Sequence, residues 1–251
     1  MSELNATLST ASSKSSEVER LTRDNLDAHT VRVLHSARNW TKADVKLVRM
    51  NSHLFAVKDI RQRSWLARLL FGRWLLRREF DVLWRLRGME GVPQVYKMLD
   101  EDAFVMDYIE GTNIRKMRRV SEATLRRLSD LFDELHRRGV AHGDPHKSNV
   151  LVTAAGEPFL IDFSTAYTLQ APSSKWREHL WRALQTQDLR SVAKLKRRFT
   201  PDLLTVEERQ LLESPTRLYR VGQTLRAGWE RLTFKGWRKR WKTWRRRMSR
   251  Q

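Results

Sequence analysis

Apolar and polar positions divide the chain into stretches of different period. Residues 1 to about 20 are Ser/Thr-rich with few large apolar groups, and the segment 1–25 is expected to stay disordered. Short runs rich in β-branched and aromatic residues follow: TVRVL (30–34), VKLVRM (45–50) and LFAVKDI (54–60). The turn MNSH (50–53) joins the last two as a predicted hairpin. A helical stretch runs from about 61 to 88. QVYKMLD (94–100) and AFVMDYI (103–109) predict a second hairpin, closed at Glu101-Asp102. Over 121–139, Leu125, Leu128, Leu131, Phe132 and Leu135 recur at helical spacing. NVLV, the turn TAAGE and PFLIDF predict a third hairpin at 149–163, and from about 174 the pattern is mostly helical. No internal repeat is present.

This order implies an α+β protein: a β-rich N-terminal lobe (26–106), a hinge near 107–112, and a mostly helical lobe (107–214) holding one small hairpin. A cleft between two such lobes is where a ligand is expected. The 251 residues suffice for such a core. The net charge of +20 points to an anionic partner: nucleic acid, an anionic membrane surface or a phosphorylated substrate. With no cysteine, disulfides and thiolate metal sites are excluded. The N-terminus MSELNATLST has neither a basic n-region nor an apolar h-region, so no signal peptide is expected. The most apolar stretch, WLARLLFGRWLL (65–76), is too short to span a bilayer and contains two arginines. The expectation is a cytoplasmic protein, peripheral on the inner face of the cytoplasmic membrane.

Five charged or amide side chains stand at the ends of apolar segments. Each alone has an ordinary reading. Lys58, in FAVKDI, is a strand lysine with its head in water. Glu79, 21 residues on, is a solvated helix charge. Asp144 and Asn149 lie in HGDPHKSNVLV (142–152), and Asp162 after PFLI is a turn former. Together they match one chemistry. Phosphoryl transfer from ATP needs positioning and charge neutralisation more than covalent help. A cation must hold the phosphates (Lys58) and a carboxylate must hold that cation (Glu79). Oxygen ligands must bind Mg²⁺ (Asn149 and Asp162), and a carboxylate must orient the attacking hydroxyl and take its proton (Asp144).

These residues resemble the protein-kinase-like fold. FAVK (55–58), Glu79, HGDPHKSN (142–149) and IDFS (161–164) stand where that fold carries V-A-I-K, the helix-C glutamate, H-R-D-L-x-x-x-N and D-F-G. The intervals of five residues from Asp144 to Asn149 and 18 from Asp144 to Asp162 fit it. FVMDYIEG (104–111) resembles the adenine-binding hinge, with Met106 as gatekeeper and backbone near Asp107 and Ile109 facing the adenine edge. Ala56 is a further implied nucleotide contact. DLRSVAKL (188–195) resembles the helix whose aspartate braces the catalytic loop. The resemblance covers about residues 30–200.

Four departures narrow it. SARNWTKA (36–43) has no glycine where a G-x-G-x-x-G loop would cover phosphate, leaving Ser36, Thr41 and Lys42 as candidate contacts beside their reading as solvated loop residues. HGD replaces H-R-D, removing an arginine that receives an activation-loop phosphate. DFS replaces D-F-G. Only 25 residues separate Asp162 from Asp188, too few for a peptide-docking platform. HGD followed by His146 is similar to the H-G-D-x-H-x-x-N loop of bacterial lipopolysaccharide kinases that phosphorylate 3-deoxy-D-manno-octulosonic acid (Kdo) or heptose; RIO-like atypical kinases run close behind. His146 either positions Mg²⁺ or the loop, or simply bonds loop backbone.

The resemblance implies an ATP- and Mg²⁺-dependent kinase acting on a sugar hydroxyl of a glycolipid acceptor. A RIO-like Ser/Thr protein kinase associated with RNA or ribosomes is the alternative, and a membrane-bound pseudokinase scaffold is a third. The tail, 215–251, carries 13 Lys/Arg against one Glu, with Trp237, Trp241 and Trp244 at helical spacing. It is expected to lie on an anionic membrane, with single-stranded RNA as the alternative ligand. The basic aromatic stretch 61–78 has two readings: contact of the N-terminal lobe with the membrane, and, the favoured one, inward packing of Leu66, Leu69, Leu70 and Leu76 with the arginines solvated.

Overall fold

The first five predicted strands assemble into one antiparallel sheet in the computed structural model, which describes residues 13–35, 43–170 and 173–213. Its strands are β1 (Thr30–His35), β2 (Asp44–Met50), β3 (His53–Asp59), β4 (Val95–Asp100) and β5 (Ala103–Asp107), in the order β1-β2-β3-β5-β4. The β2–β3 turn places Asn51 at φ 46°, a left-handed position that Asn tolerates. Central β3 pairs with β2 and β5 along its length.

Strand alternation sorts β3 and β5 into two faces. Phe55 and Val57, with Ala103 and Val105, enter one apolar cluster. Ala56 and Lys58 point to the other face, opposite Met106 and Phe104 in the β3–β5 register. The first face is covered by Val18, Leu21 and Leu26, all buried. Residues 13–19 are helical, and Arg23 bridges the buried Asp59 at 2.7 Å and Asp100 at 2.6 Å. The expectation of disorder for 1–25 is therefore corrected for 13–25: few apolar residues suffice when they sit over a sheet face that otherwise meets water. Residues 1–12 lie outside the described residues.

The second face meets the helix Arg73–Arg85, which buries Leu76, Glu79, Phe80, Val82 and Leu83. Upstream, the short helix Trp65–Ala67 and a π turn, Arg68–Gly72, lead into it. Here the inward-packing expectation is overturned. Leu76 is buried, but Leu66, Leu69 and Leu70 are exposed. Their places on the inner side are taken by Arg68 and Arg73, which ion-pair with buried Asp102 at 2.5 and 2.9 Å.

The helix Glu122–Arg137 starts at Ser121, whose Oγ accepts from Thr124 N at 3.1 Å, a cap worth about 1 kcal/mol. It buries Leu125, Leu128, Leu131, Phe132 and Leu135, each stabilising by about 1.5–3 kcal/mol. These side chains and Phe80, Leu83 and Phe104 belong to one cluster, which fixes the helical part against the sheet-bearing part. Strands β8 (Val150–Val152) and β9 (Pro158–Leu160) form the third predicted hairpin, flanked by β6 (Thr112–Asn113). A separate pair joins β7 (Val140–Ala141) to β10 (Tyr167–Thr168). The helix Lys175–Phe199 follows. All of this lies in one compact unit, residues 1–203; a second unit, 204–251, contributes the helix Val206–Glu213 to the described residues. Among the described residues no helix is long and apolar enough to cross a membrane.

Candidate active site

Three of the predicted residues converge. Lys58 projects from β3 and donates to both Glu79 oxygens, at 2.7 and 2.6 Å, and to Asp162 Oδ1 at 3.1 Å. Glu79 reaches it because the inner face of the Arg73–Arg85 helix lies under the Ala56/Lys58 face of the sheet. Asp162 follows β9 and holds φ 64° and ψ 73°. A non-glycine residue in this region carries strain that the surrounding structure must hold, a frequent mark of a functional position.

Electrostatics set the charge states. Burial disfavours the Lys58 cation, but the fields of Glu79 and Asp162 outweigh it and raise its pKa, so it is charged at neutral pH. Burial pushes the Glu79 carboxyl up, against the pull of Lys58. For Asp162 burial also favours the neutral form, but Lys58 and a hydrogen bond from Ser164 prevail and bring it down to about 2. Asp162 is thus an anion well below neutral pH. A depressed carboxylate contributes stability that is fully present above its unfolded pKa of about 4 and is lost as pH falls through its folded value. Denaturant unfolding followed from pH 5 to 2 is expected to show this loss in the wild type and a shallower slope in Asp162→Asn.

The loop carrying Asp144 is held from behind. Fully buried Asp188, on the Lys175–Phe199 helix, accepts from His142 N at 2.7 Å and Gly143 N at 3.0 Å. His136 Nε2 meets the same carboxylate at 3.1 Å. Within the loop, the Asp144 carbonyl accepts from His146 N at 2.6 Å and Asn149 Nδ2 at 3.0 Å. Ile161 N donates to the Asn149 carbonyl at 2.9 Å, which ties Asn149 to the residue before Asp162. Because the Asn149 amide nitrogen is engaged with Asp144, its Oδ1 is the atom left for a cation. An amide oxygen and an ionised carboxylate are the hard donors Mg²⁺ takes, so Asn149 and Asp162 fit that ion. Among the described residues no cluster of three His, Cys, Asp or Glu side chains offers an alternative metal site.

Two departures from the kinase pattern have local explanations. Gly143 has φ 78°, and a Cβ there would lie 2.8 Å from the Thr165 carbonyl oxygen. The segment after Asp162 packs so closely on the loop that glycine is required; any side chain at this position is strained. Ser164 sits in the 3-10 turn Phe163–Thr165 without a left-handed φ, and its hydroxyl bonds Asp162. A serine therefore serves where the kinase pattern has glycine.

The residues expected to meet a nucleotide distribute as follows. Ala56 and Met106 are cross-strand partners on the Lys58 face. The Asp107 amide donates to Gln94 O at 2.8 Å, and its carboxylate is held by Tyr96 at 2.8 Å and Lys14 at 2.9 Å. The side chain is thereby committed to scaffolding. Ile109 follows β5, half-buried. His146 is exposed, with Nδ1 3.0 Å from Ser148 Oγ. Ser36, Thr41, Lys42 and the 215–251 tail lie outside the described residues. Sequence reasoning missed the grip of Gln94, Tyr96 and Lys14 on Asp107, and the role of Ser164. Lys14 lies in a stretch that reads as polar linker, and nothing local marks it.

Residues 83–196 match the ABC1 atypical kinase-like domain. Over 97 residues the chain is 32% identical to a 3-deoxy-D-manno-octulosonic acid kinase of Xylella fastidiosa, covering 38% of this chain and 37% of that protein. The same enzyme from another strain of that organism is 36% identical over 66 residues, 26% of this chain and 24% of the relative. The chain thus matches between about a quarter and little more than a third of the length of these curated relatives. Among solved structures, the Rio2 kinase–ADP/Mg²⁺–phosphoaspartate complex from Chaetomium thermophilum superposes with a TM-score of 0.51 at 18% identity, covering 74% of this chain and 64% of that one. The fold is that of the protein kinases, and the match to the atypical kinase-like domain falls on residues 83–196. Over 38% of its length the sequence is similar to a Kdo kinase.

Proposed function

We propose that the protein is an ATP- and Mg²⁺-dependent kinase that phosphorylates a hydroxyl of Kdo in the lipopolysaccharide inner core, at the inner face of the cytoplasmic membrane. The nucleotide lies between the sheet-bearing part (26–106) and the helical part that follows, with adenine against Ala56, Met106 and the main chain from Asp107 to Ile109. The observation that carries the reading is the Lys58–Glu79–Asp162 constellation beside a loop anchored by Asp188. Lys58, oriented by Glu79, neutralises the phosphates. Asn149 and Asp162 would hold Mg²⁺, which would supply further charge neutralisation. The acceptor oxygen bonds to the γ-phosphorus as the bond to the bridging β,γ-oxygen breaks; ADP leaves, and the hydroxyl proton passes to the Asp144 carboxylate. The Kdo acceptor is supported by the partial sequence similarity to the Kdo kinases.

The test supplies labelled γ-phosphate with Kdo-bearing lipid A precursor, the same precursor without Kdo, and a bacterial membrane and protein extract. Label only in the Kdo-bearing lipid supports the reading. Label in polypeptide would favour the RIO-like alternative, and no ATP turnover a scaffold. Lys58→Met is expected to lower transfer about a hundredfold or more, because it removes the phosphate clamp. It also leaves buried Glu79 unpaired. Its folded pKa, already raised by burial, rises further without the Lys58 cation, so the variant loses more stability than the wild type as pH rises above about 4. Unfolding at pH 5 and pH 8 checks the sign: the deficit should be larger at pH 8.

A further inference from the structure

The segment before the Glu79 helix presents an apolar surface that the phosphotransfer site does not use. Trp65, Leu66, Leu69, Leu70, Phe71 and Trp74 are each between 50% and 64% exposed. Six large apolar side chains within ten residues, all facing water, mark an interaction surface rather than scattered surface residues. Their outward orientation is imposed. Arg68 and Arg73 reach inward to buried Asp102, and Arg73 also pairs with Glu101 in the same β4–β5 turn. Rolling the apolar side chains inward would break these pairs and strand a buried carboxylate. The π turn adds a residue between the flanking α-helical turns and helps Leu66, Leu70 and Trp74 stay on a common side.

Charge selects the occupant. Residues 61–78 contain six arginines and no Asp or Glu, in a chain of net charge +20. Arg63, Arg68 and Arg73 are ion-paired inward, whereas Arg61 and Arg77 are exposed at the borders of the apolar group, Arg77 beside Asp81 in an exposed pair that an anionic headgroup can replace. Tryptophan at both ends, aliphatic and Phe side chains between them, and cations at the rim match an anionic bilayer interface. There the rings sit at headgroup depth and the arginines meet phosphate. We propose that the Trp65–Trp74 segment docks this protein onto anionic phospholipid membrane by partial insertion of its apolar face. Trp74 precedes Glu79 by five residues, about 7–8 Å along the axis, so the docking face and the Lys58 partner share one helix. The proposal is independent of which acceptor is phosphorylated, and its test needs no ATP.

The chain has no cysteine, so Leu70→Cys in the full-length protein takes an environment-sensitive fluorophore at one position. Phosphatidylcholine vesicles containing phosphatidylglycerol should shift its emission to the blue. The same label at Arg126→Cys, on the exposed side of the Glu122–Arg137 helix, should stay in water. Replacing Leu69, Leu70 and Phe71 together by Ser should weaken sedimentation with these vesicles about tenfold or more, with unfolding temperature unchanged because the side chains are already solvated. Sedimentation without a shift at position 70 would assign membrane binding to another part of the chain and overturn the proposal. A shift that grows with protein concentration in the absence of vesicles would make the face a contact between copies and overturn it equally, as would no sedimentation at all.

Discussion

Asp144→Asn is expected to lower the rate of phosphoryl transfer by about a hundredfold to ten-thousandfold while leaving ATP affinity nearly unchanged. The substitution is close to isosteric. The loop bonds at this residue run through its main-chain carbonyl, which accepts from His146 and Asn149, and they survive the change. What is lost is the carboxylate that, in the proposed mechanism, orients the acceptor hydroxyl and takes its proton. Single-turnover transfer to the acceptor, beside equilibrium nucleotide binding, separates the two effects. Unchanged turnover would remove Asp144 from the role of base. A parallel loss of nucleotide affinity would mean that the loop itself had moved.

Asp188→Ala is expected to have the largest effect on stability, about 3 kcal/mol or more. Asp188 touches no substrate in this arrangement. It is fully buried and accepts from two consecutive main-chain amides, His142 and Gly143, and from the His136 ring. Alanine leaves those buried donors without their acceptor. Asp188→Asn should lose less, since its one oxygen still serves one amide while its amide nitrogen opposes the other. Urea unfolding of the three proteins, with an unchanged dependence on denaturant, gives the ranking. Transfer should fall with stability in the alanine variant, because these bonds hold the backbone immediately before Asp144.

Much of the site was legible because its residues mark the ends of regular elements. Lys58 closes an apolar strand run, Asp162 follows another, and Asn149 precedes a third; strand periodicity alone gives these positions their faces. The interval from Lys58 to Glu79 allowed a pairing but did not establish it. What the sequence could not convey was commitment of side chains across the fold. Asp107 lies in the hinge motif, yet its carboxylate serves Tyr96 and Lys14, one of them 93 residues away in sequence. The glycine of HGD looked like the absence of an arginine. Its cause is the Thr165 carbonyl pressed against it.

By itself the sequence determined the α+β order of elements, the five strands of the main sheet, the leucine face of the Glu122–Arg137 helix and the chemical types gathered for phosphoryl transfer. Those properties follow from local periodicity and from residues whose chemistry has few other uses in that order. Only the tertiary structure decided which polar groups are buried together and which apolar groups stay outside. A few scattered residues, Val18, Leu21 and Leu26, order the N-terminal segment because a sheet face awaits them. A leucine-rich stretch remains in water because Asp102, distant in sequence, draws Arg68 and Arg73 to the inner side. Burial and ion pairing are properties of neighbours in space, and the linear pattern of a segment does not contain them.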